Sequence, residues 1–499
     1  MSHIQPADFA SFGSCYQAGK SQLVWLSLVS DLETPVSVFL KLAGEAPNSF
    51  LLESVEGGEQ LGRYSIIGID PDVIWRCAGA QSEINIHARD NPDAFATQDG
   101  APLTNLKRLV AESQIDHIAD TLPPMAAGVF GYLGYDMVRQ MERLGPRPAG
   151  GLETPDAIFI RPTILAVFDN IRQEILLITP ARPQHGVDAA TAYAAAKERL
   201  SDAAARIKEP LVIPDADYSG GGAIEPRSNM SRAAYDASIN KIKEYINAGD
   251  IFQAVFSHRF SADFSAPPIA LYRALRRANP SPFLFFLNFG DFALVGSSPE
   301  ILVRVRDGEV TIRPIAGTRP RGADRAQDLQ LEKDLLADAK ECAEHLMLLD
   351  LGRNDVGRSS KIGTVRVTEQ FAIERYSHVM HIVSNVVGEL REDTHPIDAV
   401  SAGFPAGTVS GAPKIRAMEI IDELELEARG VYGGAIGYFS ADGNVDTCIA
   451  LRTAVVKDGR LHVQAGGGIV ADSEPETEHQ ESMNKARALF AAAEAVLKA

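Results

Sequence analysis

Positive charge is in short supply in this chain: 48 lysines and arginines face 66 aspartates and glutamates, for a formal charge of −18. That deficit argues against nucleic acid or an anionic membrane surface as the main partner, because both reward basic faces. Cysteine is scarcer still, with four residues, Cys15, Cys77, Cys342 and Cys448, none in a CxxC pair. Such spacing suggests neither a disulfide framework nor a thiolate zinc site, and buried or idle thiols in a reducing compartment are the expectation. No apolar run approaches the roughly 18 residues that cross a bilayer. The opening MSHIQPADFA lacks the basic-then-apolar order of a signal peptide, so the expected location is cytoplasmic. GxSxG and GxCxG elbows are missing too, which leaves acyl-enzyme chemistry without support and gives the chain no glutaminase of that type.

What is present reads as a globular protein with a sizeable core: 499 residues, 45% hydrophobic and 23% charged. Between about residues 20 and 180, short apolar runs alternate with Gly, Pro and Asp. VSVFLKL (36–42), RYSIIGI (63–69), AAGVFGYLGY (126–135) and TILAVFD (163–169) read as strands. An Ala-rich helix is expected over 188–208, and the breakers that follow it, ending in SGGGAIEP (219–226), mark a linker. Beyond it, Ser231 suits an N-cap, Tyr235, Ile239, Ile242 and Ile246 keep helical spacing, and Gly249 suits the helix end. FQAVFSHRF (252–260) then reads as a strand. The organisation expected is a regulatory or supporting region at 1–225 and a catalytic region at 226–499.

Two helices carry paired acids. Glu341 and Glu344 are three apart and so share a face; the apolar LMLL (346–349) that follows suggests burial at that point. Glu478 and Glu481 repeat the device, with Lys485 one turn on. Buried carboxylates are costly unless paired or bound to a cation, and Mg²⁺ prefers oxygen ligands. The same spacing also serves solvated helix faces, so it does not decide between the two. Three glycine-bearing stretches, PIAGTRPRG (314–322), AGFPAGTVSGAPK (402–414) and QAGGGIVADS (464–473), read as turns. None fits a phosphate-loop or dinucleotide template. With Arg452 they would suit a ligand bearing carboxylates, and equally they would serve as plain turns between strands. His381 lies on an apolar strand pattern, where a packed core histidine is the commoner outcome.

Taken together, NPSPFLFFLNF, GSSPEILVRV, RPIAGTRPRG, EHLMLLDLGRNDVGR, HVMHIVS, FPAGTVSGAPK, GAIGYF, DTCIALRT and AGGGIVADSEPETEHQESMNKA resemble the chorismate-utilising enzymes, in that family's order, over 229–490. LLES (51–54) and GRYS (62–65) resemble the regulatory part of its anthranilate synthase component I branch. The resemblance implies an α/β fold of the α+β type, with layered, mainly antiparallel β-sheets flanked by helices. It implies Glu344 and Glu481 as direct Mg²⁺ ligands, with Glu341 and Glu478 as water-mediated or acid–base neighbours. Gly317, Thr318, Tyr432, Arg452, Gly466, Gly467 and Gly468 match chorismate-contacting positions, and Thr408 and Lys485 line the same pocket. His381 matches a histidine beside the substrate's ring hydroxyl, placed to help it leave by hydrogen bonding or proton donation.

Within the family, two positions discriminate. Aminodeoxychorismate synthases commonly carry a nucleophilic lysine in PIKGT, and this chain has Ala316 there; water-adding members place a lysine base where it has Gln253. Both departures favour ammonia addition and the formation of anthranilate and pyruvate. The resemblance further implies a glutamine amidotransferase subunit that supplies the ammonia, a heterotetramer of two subunits of each kind, and feedback by tryptophan. Glu53, Ser54, Pro282, Phe283 and Leu284 match the inhibitor pocket. The rival readings are an aminodeoxychorismate synthase component I and a non-catalytic, tryptophan-sensing relative.

Overall fold

The computed structural model describes the chain except for residues 1–3, 6–8, 57–59, 117, 213–223, 377–378 and 499. Most of the expected linker, 219–223, lies outside the described residues.

The first half supplies a short helix α1 (Pro35–Leu42), a strand β1 (Ser49–Glu56) and the long strands Gln60–Ala78 and Ala157–Asp169. The second half supplies β2 (Gln253–Asp263), β3 (Phe283–Asn288), β4 (Ile315–Pro320), helix α2 (Ala339–Ser359), β5 (Val379–Glu389), β6 (Arg460–Ile469) and helix α3 (Pro475–Leu497). Every strand pairing among the described residues is antiparallel, and the pairings join into one network. The two halves are stitched directly: Leu284 of β3 opposes Glu53 of β1, and strand Ala435–Ser440 opposes Gly128–Leu133. Helices cover the faces, and the largest apolar cluster joins α1, α3 and the Ala-rich helix Ala189–Lys208 to the sheet. Nearly all of Ala157–Asp169 is buried. A strand covered on both faces reads as a continuous apolar run rather than an alternating one.

Several local expectations hold. Ser231 Oγ accepts the Ala234 amide at 3.2 Å, and Gly249 ends that helix at φ 84°. Tyr235, Ile239 and Ile242 are fully buried, each contributing roughly 1.5–3 kcal/mol.

Three expectations are corrected. VSVFLKL is helical, not a strand. Thr34 and Ser37 exchange side-chain-to-backbone bonds of 3.1 and 2.9 Å in a capping box, with Pro35 at the first position. The buried residues Pro35, Val38, Phe39 and Leu42 keep helical spacing. Two of the three glycine stretches are strands: 315–320 and 464–469 lie in β4 and β6. Finally, α2 is not buried around its circumference, because Leu348 and Leu349 face inward while Leu346 is exposed.

Candidate active site

The site is assembled where β4 and β5 pass beneath the start of α2, and β6 passes beneath the start of α3. A bulge between Ala316 and Thr318 puts Gly317 at φ 73°, a conformation that glycine adopts without strain. The bulge leaves Thr318 opposite His381. His381 Nδ1 lies 3.0 Å from Thr318 Oγ1 and 3.1 Å from the Gly317 carbonyl. A carbonyl only accepts, so Nδ1 carries the proton and Nε2 keeps a lone pair. Burial pulls the imidazole down to about 4; the Gly317 bond opposes this and Arg452 adds to it. His381 is therefore neutral near pH 7.

Arg452 has left-handed backbone (φ 46°), and its pKa is lowered by burial. Among the described residues no carboxylate pairs with it. A partly buried guanidinium without a counter-ion is costly, and it suits an anionic ligand.

The four acids of the two helices lie in one electrostatic neighbourhood. Burial raises Glu344, with the charges of Glu341 and Glu481 adding to it, against the pull of Gln253 and Lys485. Burial likewise raises Glu478, helped by Glu481 and opposed by Ser473, Lys485 and Lys340. Each acid also has a partner, which for Glu478 is Ser473. Gln253 Nε2 donates to Glu344 at 3.0 Å, Arg319 pairs with Glu341 at 2.9 Å, and Lys485 pairs with Glu481 at 2.7 Å. Lys485 also donates to the Gly466 carbonyl at 2.9 Å. Glu481 is 49% exposed at its side chain, so the acids are not equally enclosed. Among the described residues, no three acidic, histidine or cysteine side chains form a ready-made ion cage; Arg319 and Lys485 occupy two of the candidates instead.

Gly466, Gly467 and Gly468 have no left-handed backbone. Their small size has another use. A Cβ at Gly467 would lie 3.1 Å from Glu478 Oε2, and one at Gly468 would lie 2.0 Å from Gln253 Nε2. The strand thus lets the acids and Gln253 pack flat against its backbone.

Thr408 and Tyr432 approach through residues to which the sequence reading assigned no role. Thr408 Oγ1 donates at 2.9 Å to Glu300, whose carboxyl is pushed up to about 8, mainly by burial. Tyr432 is buried beside Arg429, itself tied to Glu425 and to the Val409 and Val255 carbonyls. Glu300 lies close enough to Tyr376 to raise its phenol, and the Tyr376 ring meets His381 edge-on at 5.6 Å. Glu300 and Arg429 both fall in quoted or neighbouring motif stretches, but nothing in the sequence marks them as fully enclosed.

A separate cavity of about 930 Å³ is lined by Glu53 and Ser54 from β1, Phe283 and Leu284 from β3, and Pro282 just before β3. Arg313, Glu374 and Tyr376 lie on its wall. Glu53 is buried, with Arg276 holding its carboxylate at 2.7 and 2.9 Å and the Tyr272 hydroxyl donating to it as well.

A family model described as chorismate binding enzyme matches residues 49–491. The chain is similar to anthranilate synthase component 1 of Cereibacter sphaeroides, 58% identical over 492 residues and 97% of each chain. It is also similar to that of Pseudomonas aeruginosa, 52% identical over 472 residues, 93% of this chain and 94% of the relative. Among solved structures, anthranilate synthase component I of Streptococcus pneumoniae matches with a TM-score of 0.77 at 37% identity, over 93% of this chain and 99% of that one. A menaquinone-specific isochorismate synthase of Escherichia coli matches at TM-score 0.67 and 19% identity over 96% of each chain, which is a likeness of fold.

Proposed function

The chain belongs to the chorismate-binding enzyme family, and on that premise we infer that it converts chorismate and ammonia into anthranilate, pyruvate and water. The observation that carries this reading is its identity of 58% and 52%, over more than nine-tenths of its length, with two relatives named anthranilate synthase component 1.

The site residues suit the steps this reaction needs. Arg452 offers a partly buried cation with no carboxylate partner among the described residues to a substrate carboxylate. Gly317 and Gly466–Gly468 let the ring approach backbone, with Thr318, Tyr432 and Lys485 around it. Ammonia adds at the ring carbon C2 as the C4 hydroxyl leaves, and the departing hydroxyl needs a proton. His381, neutral and with its Nδ1 proton turned to Gly317, is the acceptor that orients the hydroxyl. Glu300, protonated at neutral pH and bonded to Thr408, is the group able to give the proton. Loss of pyruvate then makes the ring aromatic; Glu341 is the candidate to take the C2 proton.

Glu344 and Glu481 would hold Mg²⁺, with Glu341 and Glu478 behind them. The donor set fits, because carboxylates that raise one another's pKa gain from a hard divalent ion. When bound, the ion draws electron density from the substrate's ring carboxylate and opens the conjugated carbon to attack.

The numbering of the relatives as component 1 implies a second component. Its identity as a glutamine amidotransferase, a two-plus-two assembly, a cytoplasmic setting and a regulatory role for 1–225 beside a catalytic 226–499 belong to the same proposal. So does tryptophan as the ligand of the 930 Å³ cavity, a size ordinary for small-molecule pockets. The direct test supplies the purified chain with chorismate, Mg²⁺ and an ammonium salt. Fluorescent anthranilate is expected, and its yield should fall when the metal is chelated. Accumulation of 4-amino-4-deoxychorismate would overturn the assignment.

A further inference from the structure

Each helix that carries a candidate metal ligand is fastened to the sheet at the very next residue. On α2, His345 follows Glu344, and its Nε2 lies 2.7 Å from Ser384 Oγ on β5, three residues past His381. On α3, Ser482 follows Glu481, and its Oγ lies 2.8 Å from His258 Nε2 on β2, the strand that carries Gln253. His345, Ser384 and Ser482 are 0% exposed and His258 is 2% exposed.

The direction of the hydrogen bonds follows from counting protons. Ser482 donates to the His479 carbonyl at 2.8 Å, so it must accept from His258 Nε2–H. Ser228 Oγ accepts the Met230 amide at 3.0 Å and turns its own proton to His258 Nδ1 at 2.8 Å. Both ring nitrogens of His258 are thereby used by a neutral imidazole of one fixed tautomer. At the other helix, Ser384 Oγ accepts the Phe371 amide at 3.0 Å and shares its second hydrogen bond with His345 Nε2.

Apolar packing alone lets a helix rotate or slide by fractions of an ångström, whereas a buried hydrogen bond has a narrow range of length and angle. A bond made one residue from a ligand fixes the helix's rotation at that ligand. We propose that His345–Ser384 and His258–Ser482 are positioning pairs that set the spacing of Glu344 and Glu481, and through it the affinity for the divalent ion. This rests on the magnesium reading above.

The test is Mn²⁺ binding by the full chain, followed by the resonance of the free ion, with melting temperatures recorded alongside. Ser384→Ala and Ser482→Ala should each weaken binding by about 10- to 100-fold, the usual effect of losing a group that orients a metal ligand. Ser384→Cys and Ser482→Cys keep the volume but offer only a weak donor; they should bind Mn²⁺ with intermediate affinity, and they carry the test if the alanine variants do not fold. Folded variants whose affinity stays within about twofold of the wild type, against that expectation, would show the pairs to be purely structural and overturn the proposal alone. A wild-type chain that binds no Mn²⁺ overturns the magnesium reading and the proposal together.

Discussion

At the scale of single residues, enclosure decides chemistry, and enclosure is what a sequence shows least. Glu300 stands in GSSPEILVRV like any acid at a strand start, yet its carboxyl is buried and pushed from 4.5 up to about 8. Between those two values the unfolded chain has lost this proton while the folded chain keeps it, so Glu300 makes stability fall as pH rises through that window. Glu300→Gln removes the titration and keeps an acceptor for Thr408. Its melting temperature should therefore drop less between pH 5 and 8 than that of the wild type. If Glu300 is the proton donor, kcat should also fall, by about 10²- to 10⁴-fold. An unchanged pH slope in the melting curves would return the residue to an ordinary ionised acid. His381 was legible as a site residue through its motif. Its neutral state and its tautomer were not, because the first depends on burial and the second on the Gly317 carbonyl that the bulge presents.

At the scale of elements, the 3.6-residue period and the capping residues were read well where both were sought together, as in the helix that starts after Ser231. VSVFLKL was misread because its β-branched residues outweighed the helix signals that precede it, Thr34, Pro35 and Ser37. Those signals have a measurable worth. Thr34→Ala removes the acceptor for the Ser37 amide and should cost about 0.5–2 kcal/mol, seen as a lower denaturant midpoint. The Michaelis constant for chorismate should not change, since the capping bonds of Thr34 and Ser37 involve no residue of the candidate active site. The glycine run 466–468 was misread for a different reason. Glycine signals either a left-handed backbone or close approach, and here Gln253 and the acids of α3 require the second.

At the scale of the whole molecule, the residues proposed to bind an inhibitor and those proposed for catalysis belong to two sites that meet at Tyr376. The antiparallel register that sets Leu284 opposite Glu53 draws segments more than two hundred residues apart into one cavity. The sequence could name those residues by likeness, but it could not show that they face one space, because strand pairing across the chain is not written in local pattern. Tyr376 lines that cavity and meets His381 edge-on at 5.6 Å, which gives a ligand in the cavity a neighbour in the active site. Glu53 already spends its carboxylate on Arg276 and Tyr272, so it acts first as a strut of the cavity wall. Ser54 is the smaller and more exposed of the two, and its Oγ would lie 1.9 Å from a Cβ at Gly62. A phenyl ring has no room on that side and must turn into the cavity, where it occupies space an aromatic ligand would need. Ser54→Phe should therefore weaken tryptophan inhibition at least tenfold while leaving turnover with ammonia nearly intact, a loss on the order of 1.4 kcal/mol of binding. Inhibition curves measured on both proteins at equal chorismate check it. Equal inhibition would remove Ser54 from the pocket, and a wild type insensitive to tryptophan would remove tryptophan as the ligand of the cavity.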